Sequence, residues 1–491
     1  MAEIPRGPAD SGDPSASPYA ASFEPDTARL LDLLASEAVY GTPLMAVREL
    51  ALNAFDAIRE RVACRRLALP ALEEAADPKW ESHFNEENQV AMEVFTNING
   101  LFLACSDTGI GLDRNIIAHQ LLCPGKPPGA TWRALDRQCR DRGFRLSGRS
   151  RRGLGFLSYF MLAEAVKIRS RRDPLCGGNR QTSVIFKTSG PHGGTLLCSL
   201  PNPLKGSAHT KVTLRLNEKA KSPGTGFEAE LQALLQQTVI RTPCALHVLL
   251  ENGYRFFPAG WSPETPPVVK AHIASFPPRH FRFRRLPTTS ATLDLITAIR
   301  SVPPEDLLRS GVQIETEIHE YHSPGLATLR CTAPWITYRG TKAMFWATDA
   351  DPDNLGGPYT MVVLRRASRT AWQGMHCHLL DQDLPGLEAG PADLLPGPCE
   401  KLPPWGFLGI DIDLDEPPVE TLALNRSSAL LTHAAGQQLK QFCLQSLHLM
   451  AGHVRKKHPG SLLAEQMEEV ELGLRAVLKD GTFTAPPADS R

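Results

Sequence analysis

Three short motifs in a fixed order constrain this chain more than any other feature. The first is RELALNAFDA, where Glu49, Asn53 and Asp56 recur at helical spacing. A helix over 45–62 puts all three on one polar face and Val47, Leu50, Ala54 and Ile58 on an apolar one. A carboxylate and an amide one turn apart suit a Mg²⁺-bound nucleotide. The amide oxygen can ligate the hard cation, and the carboxylate can take a proton from an attacking water. The second motif is CSDTGIGL, in which a strand ends in Asp107 and Gly109 and Gly111 follow. A strand-end carboxylate can accept a hydrogen bond from an exocyclic amine such as adenine's, and the glycines permit a tight turn against a ligand. The third is RRGLGFLSYFMLAEAV, where Gly153 and Gly155 precede an apolar run that reads as a helix over 156–166. N–H groups at a helix N-terminus cradle phosphate oxygens. Each motif alone has a plainer reading: a solvated helix face, a β-turn, helix-end punctuation. Together and in this order they point to a nucleoside triphosphate pocket.

The segments around the motifs suggest an α/β sandwich. FEPDTARLLDLLASEAVYG is apolar at helical spacing and stops at Gly41. NQVAMEVFTN, GLFLACSD, AVKIRSR, TSVIFKT, GTLLCSL and TKVTLRL read as strands, so helices are expected on one face of a sheet. Lys+Arg and Asp+Glu are equal at 53 each among the 491 residues. That excludes nucleic-acid or membrane binding by bulk charge, though not by a local basic patch. No apolar run is long enough to span a membrane, and the first 22 residues have the composition of a disordered leader without a secretory signal. The 11 cysteines show no C-x-x-C spacing, the usage of a reduced, cytoplasmic chain.

The motif order resembles the GHKL ATPase superfamily with its Bergerat α/β sandwich. Within it, FEPDTARLLDLLASEAVYGTPLMAVRELALNAFDA and GLGFLSYFMLAEAVKIRSR are similar to the heat shock protein 90 (HtpG-like) family. The resemblance covers about 23–217 and implies an ATP-binding, ATP-hydrolysing chaperone that uses Mg²⁺ and acts on client proteins. It implies that Glu49 is the general base and that Asn53 completes the Mg²⁺ shell. Asp107 would bind the adenine amine, Gly109 and Gly111 would line the base pocket, and Asp56 would support the polar network. Lys126 would reach a phosphate from the lid, Gly153 and Gly155 would wrap the phosphates, and Thr210 would sit near the adenine. There are departures. His209 stands where the family has glycine, His119-Gln120 replaces an Asn pair, and Ser150 replaces the glycine that opens the third motif. The lid over 124–152 is rewritten, with nine Lys/Arg against two Asp. It is a phosphate-attracting lid, a basic contact for a partner or a solvated loop.

The family resemblance also implies a transducer-like α/β middle domain, expected over 221–426, that sends a basic residue to the γ-phosphate. LGIDIDLDEPPVETLALNRSS makes Arg426 that candidate, against a surface arginine capping the next helix. A helical tail follows from 427, with Leu463, Met467, Val470, Leu474 and Val477 at heptad-like spacing. Its shortness leaves constitutive dimerisation without a domain and homodimerisation on ATP binding as the expectation. HFRFRR (280–285) could meet a nucleic-acid backbone but reads more simply as an edge strand. His376-Cys377-His378 lacks further ligands for a metal. Two other functions stay open: a GHKL ATPase gating a DNA- or partner-binding assembly, as in gyrase B, MutL or MORC-like proteins, and a nucleotide-binding regulator without turnover.

Overall fold

The structure is a computed structural model that describes residues 27–69, 87–126, 129–144, 146, 154–176, 178, 182–190, 192–201, 209–218, 226–263, 268–274, 312–338, 340–349, 359–365, 368–379, 408–415, 417–423 and 428–479. Outside them lie the expected leader, Gly153, the 280–285 segment and Arg426.

The chain enters through α1 (Thr27–Leu34) and α2 (Glu37–Tyr40). The single helix expected before Gly41 is broken at Ser36, whose hydroxyl donates to Leu33 O at 2.6 Å. Helix α3 (Met45–Ala68) follows and buries Val47, Leu50, Ala54, Phe55 and Ile58. Eight strands lie beneath it: β1 (Gln89–Asn97), β2 (Gly100–Asp107), β3 (Ala163–Ser170), β4 (Ser183–Thr188), β5 (Thr195–Leu200), β6 (Thr210–Leu216), β7 (Ala245–Leu250) and β8 (Gly253–Phe257). Their order is β5-β4-β3-β6-β2-β1-β7-β8. All neighbours are antiparallel except β1 and β7. Period-two alternation sends Val90, Met92, Leu103, Val166, Ile168 and Leu214 into one core with α3.

Two expectations need correction here. The helix expected over 156–166 ends early. Gly155–Ser158 forms a 3₁₀ turn, a short helix covers Tyr159–Leu162, and β3 begins at Ala163. From Ala163 the sequence alternates apolar and charged, with Val166, Ile168 and Ser170 buried and Lys167 and Arg169 exposed, so the strand period prevails. The boundary expected at 220 also falls inside this unit. The next helix, Phe227–Thr238, buries Phe227, Leu231 and Leu235 in the same core, and β7 pairs with β1. The antiparallel hairpin of β7 and β8 over 245–257 is therefore the edge of the first sheet.

A second sheet is built from β9 (Val312–Ser323), β10 (Ala327–Tyr338), β11 (Thr341–Ala343), β12 (Arg369–Trp372), β13 (Met375–His376) and β14 (Gly409–Leu414). The main order is β9-β10-β14-β12-β13, and β11 pairs with β10. Strand β10 is buried on both faces. Leu329, Cys331, Ala333 and Trp335 meet two long helices, α4 (His433–Lys457) and α5 (Leu462–Lys479). The alternate residue Arg330 faces the other side, where Asp411 Oδ2 accepts from its Nη2 at 2.6 Å and Arg369 Nη2 donates to the same carboxylate at 2.9 Å. Leu463, Met467, Val470 and Leu474 are buried in this core, so the heptad-like face of the tail packs on its own sheet. Two small three-stranded sheets accompany it. The whole is mixed α/β with several sheets, and no described helix is long and apolar enough to cross a membrane.

The two units meet at the turn after β12. Gly374 O accepts from Ile240 N and Arg241 N, both at 2.9 Å. Arg48 Nη2 donates to His376 O at 3.0 Å and Arg59 Nη2 to Gln373 O at 2.9 Å. Both arginines belong to α3, and Met375 lies in the core of the first unit.

Candidate functional site

A cavity of about 710 Å³ opens between α3, the ends of β2 and β6, and the 114–138 segment. Asn53, Asp56, Ala57, Glu60 and Cys64 line it as one stripe of α3, at the spacing of a helix face. Asp107 and Gly111 enter from the turn after β2, Thr210 from β6, Gly155 from the 3₁₀ turn and Lys126 from the segment before the helix Ala130–Asp141. That helix adds Trp132 and Leu135, which with its own Cys139 pack against Ala63 and Leu67 at the far end of α3. Ile110, Leu112, Phe156, Ile168 and Val212 make much of the remaining wall apolar. Such a cavity suits a flat heteroaromatic ring with a polar end.

Asp107 is 5 % exposed. One of its oxygens accepts from Gly109 N at 2.8 Å. Burial pushes its carboxyl up to about 7, against the downward pull of that N–H and of the Arg61 charge. The turn that holds it is pinned from several sides. Ile110 N donates to Ala57 O at 2.9 Å, and Arg61 Nη1 donates to Thr108 O at 2.6 Å. Arg61 Nε also donates to Asp173 Oδ2 at 2.9 Å. His209 Nδ1 donates to Gly109 O at 2.6 Å, and burial lowers the His209 pKa, which keeps the ring neutral. The histidine in place of glycine thus tethers the turn. Gly111 has φ +72°, and a Cβ there would lie 2.0 Å from Arg171 O, so only glycine fits.

Glu49 lies behind this wall. It is 2 % exposed, and its Oε1 has no hydrogen-bond partner among the described residues; Arg48 Nη1 is 3.9 Å away. A Cβ on Gly155 would sit 2.7 Å from Glu49 Oε2 and 3.5 Å from Asn53 Nδ2. Gly155, itself on the cavity wall, therefore packs directly against the Glu49 carboxylate, which is not part of the cavity lining. Asn53 Nδ2 donates to Tyr159 Oη at 2.8 Å, which leaves the amide oxygen for another ligand. Asp56 accepts from Arg59 Nη1 at 3.0 Å, tying it to the arginine that reaches Gln373. Thr210 Oγ1 and Ser170 Oγ are 2.9 Å apart, and Ser170 Oγ accepts from Leu112 N at 2.7 Å.

Seven residues expected from sequence thus line one cavity: Asn53, Asp56, Asp107, Gly111, Lys126, Gly155 and Thr210. Gly109 stands behind the Asp107 turn and Glu49 behind Gly155. Arg61, Asp173 and Ser170 escaped the sequence reading; Arg61 was signalled only by an arginine beside the polar stripe of α3. His376 Nδ1 donates to Thr370 O at 3.1 Å, and its ring stands edge-on to that of His378.

The chain matches no protein-family model. It is 28% identical over 224 residues to the chaperone protein HtpG of Azorhizobium caulinodans, covering 44% of this chain and 31% of that protein. It is 28% identical over 230 residues to HtpG of Coxiella burnetii, covering 47% and 31%, and 28% identical over 200 residues to HtpG of Vibrio vulnificus, covering 40% and 28%. The chain spans about a third of the length of these curated relatives. A distant, partial relationship to the heat shock protein 90 type of chaperone is what these likenesses support.

Proposed function

We propose that this chain binds ATP in the cavity and hydrolyses it slowly, as the nucleotide-driven switch of a cytoplasmic chaperone of the heat shock protein 90 type that acts on client proteins. The observation that carries the reading is the convergence of Asn53, Asp107, Lys126 and Thr210 on one cavity with Gly155 against the buried Glu49. In this reading 23–220, with its sheet extended to Phe257, is a GHKL-type ATP-binding domain, the rest of 221–426 holds the transducer-like domain, and after the strand Ser428–Leu431 the helices His433–Lys457 and Leu462–Lys479 pack upon it.

Asp107 is the acceptor for the adenine amine, with Thr210 and Gly111 beside the base. Lys126 meets a phosphate, and Gly153 and Gly155 wrap the chain of phosphates. The Glu49 carboxylate, with one buried oxygen unpartnered among the described residues, suits a general base that takes a proton from water. Mg²⁺, when bound with the nucleotide, supplies charge neutralisation at the phosphates, and the free amide oxygen of Asn53 is the protein group to hold it. Arg426 remains the proposed γ-phosphate arginine.

Coupling to the second unit runs through α3. Arg48 adjoins Glu49 and holds His376 O, so ATP-dependent changes at Glu49 and Gly155 reach the second sheet in one step. Glu49→Ala should abolish hydrolysis while ATP binding survives; retained turnover would remove Glu49 from the base role. The gating alternative draws on the basic stretch at 124–152. ATP-dependent retention of DNA would favour it, and suppression of client aggregation without DNA binding would favour the chaperone.

A further inference from the structure

Far from the cavity in sequence, the second sheet carries a cluster that the nucleotide reading leaves unused. Glu317 and His319 stand two residues apart on β9, so their side chains share a face. Their strand neighbours Ala333 and Cys331 belong to the core under α4, so that face looks toward the helix. His453 descends from α4 onto the same place. Three ligand-type atoms converge. His319 Nε2 is 3.2 Å and His453 Nε2 is 3.3 Å from one oxygen, Glu317 Oε1. All three atoms lie within 4.8 Å of one another. The two imidazoles meet edge to face with centroids 4.5 Å apart.

We propose that Glu317, His319 and His453 form a binding site for a divalent transition-metal ion of the Zn²⁺ class. The spacing is the reason. In a tetrahedral site with bonds of about 2.0–2.1 Å, adjacent ligand atoms lie about 3.3 Å apart. Both histidine-to-carboxylate edges already have that length. Two imidazoles and one carboxylate are a donor set for borderline ions rather than for Ca²⁺ or Mg²⁺, which prefer oxygen alone. Lys457 Nζ donates to the other oxygen, Glu317 Oε2, at 2.9 Å, which turns Oε1 toward the rings. Glu317 is buried at 9 % exposure while the His453 side chain is 56 % exposed, so an ion enters from solvent and keeps a water in the remaining position. Bound there, the ion cross-links edge strand β9 to α4 and clasps the helical layer to the second sheet.

The test uses the full chain, stripped with a chelator and titrated with Co²⁺ as the spectroscopic probe, then displaced with Zn²⁺. One Co²⁺ per chain should give visible ligand-field bands of a low-coordinate nitrogen–oxygen site, with no thiolate charge-transfer band. His453→Ala, at an exposed position whose loss leaves the core intact, should abolish those bands and weaken Zn²⁺ binding by about a hundredfold or more. His319→Ala should do the same. Zn²⁺ should raise the melting temperature of the wild-type chain and leave that of His453→Ala unmoved, because only a ligand of the folded state stabilises it. A thiolate band, no saturable Co²⁺ spectrum, or a His453→Ala spectrum like the wild type would each overturn the site. None of these readouts depends on ATP, so this site and the nucleotide cavity stand or fall separately.

Discussion

Asp107 sits where burial and recognition oppose each other. Its carboxyl is raised by burial to about 7, whereas in an unfolded chain it would titrate near about 3.9. Between those values the folded state holds the extra proton. Stability from this group is therefore full below the unfolded value and is lost as pH rises through about 7. A purine amine donating to the carboxylate needs the charged form. ATP affinity should then climb with pH through about 7 and level off above it, as read by titration calorimetry at fixed salt; a flat profile would remove Asp107 from the base pocket. Asp107→Asn should lose ATP binding, and its melting temperature relative to the wild type should be higher at pH 8 than at pH 5. At this scale the sequence was informative wherever a local spacing marked the lining of the cavity: Asn53 with Asp56, Asp107 with Gly111, and Gly155. It was silent about Arg61 and Asp173, which meet across 112 positions of chain, and about the tether that His209 makes to Gly109. Long-range pairings of that kind leave no periodic trace.

Among the elements, strand β10 and the turn after β12 carry the greatest sensitivity. Asp411 is fully buried between Arg330 and Arg369. Asp411→Ala would remove the buried carboxylate that accepts from both Arg330 and Arg369, leaving their charges uncompensated at that point, and should cost about 3–5 kcal/mol in urea unfolding of the full chain. Gly374 has φ +89°, and a Cβ there would lie 1.8 Å from Arg241 O. Gly374→Ala should destabilise by at least about 2 kcal/mol and loosen the contact that Arg48 and Arg59 make with the same turn. Protection of that turn in hydrogen exchange would report the loosening. Element types were largely readable, since alternation marked β1 through β6 and the 3.6-residue period marked α3. The run after Gly155 misled because four apolar residues in succession fit either period, and only the charged alternation from Glu164 decides for a strand. The unit boundary misled for another reason. A polar Gly/Pro stretch at 218–226 looks like a linker, yet β7 beyond it completes the first sheet by a parallel pairing with β1. Parallel partners distant in sequence are invisible to a reading made along the chain.

For the whole molecule, the contacts of α3 link the cavity to the second sheet. One face of this helix carries Asn53 and Asp56 into the cavity, and Arg48 and Arg59 hold the turn of the other unit. Arg48→Ala should leave ATP affinity within about threefold of the wild type while reducing hydrolysis, because it cuts the contact to His376 O and the charge nearest Glu49 rather than the base pocket. Helix α1 leaves Leu30 and Leu33 exposed at 44% and 52%, the apolar face on which to test the association of two copies that the family resemblance implies on ATP binding. Sedimentation with and without nucleotide should show a faster species only with ATP, and Leu30→Glu with Leu33→Glu should abolish it. The measurement that bears most directly on the proposed function is calorimetric titration of the full chain with Mg·ATP, for the wild type, Glu49→Ala and Asp107→Asn in parallel. One site per chain in the first two and none in Asp107→Asn is the expected result. No heat with the wild type, or equal affinity in Asp107→Asn, would show that the cavity is not the home of an adenine nucleotide.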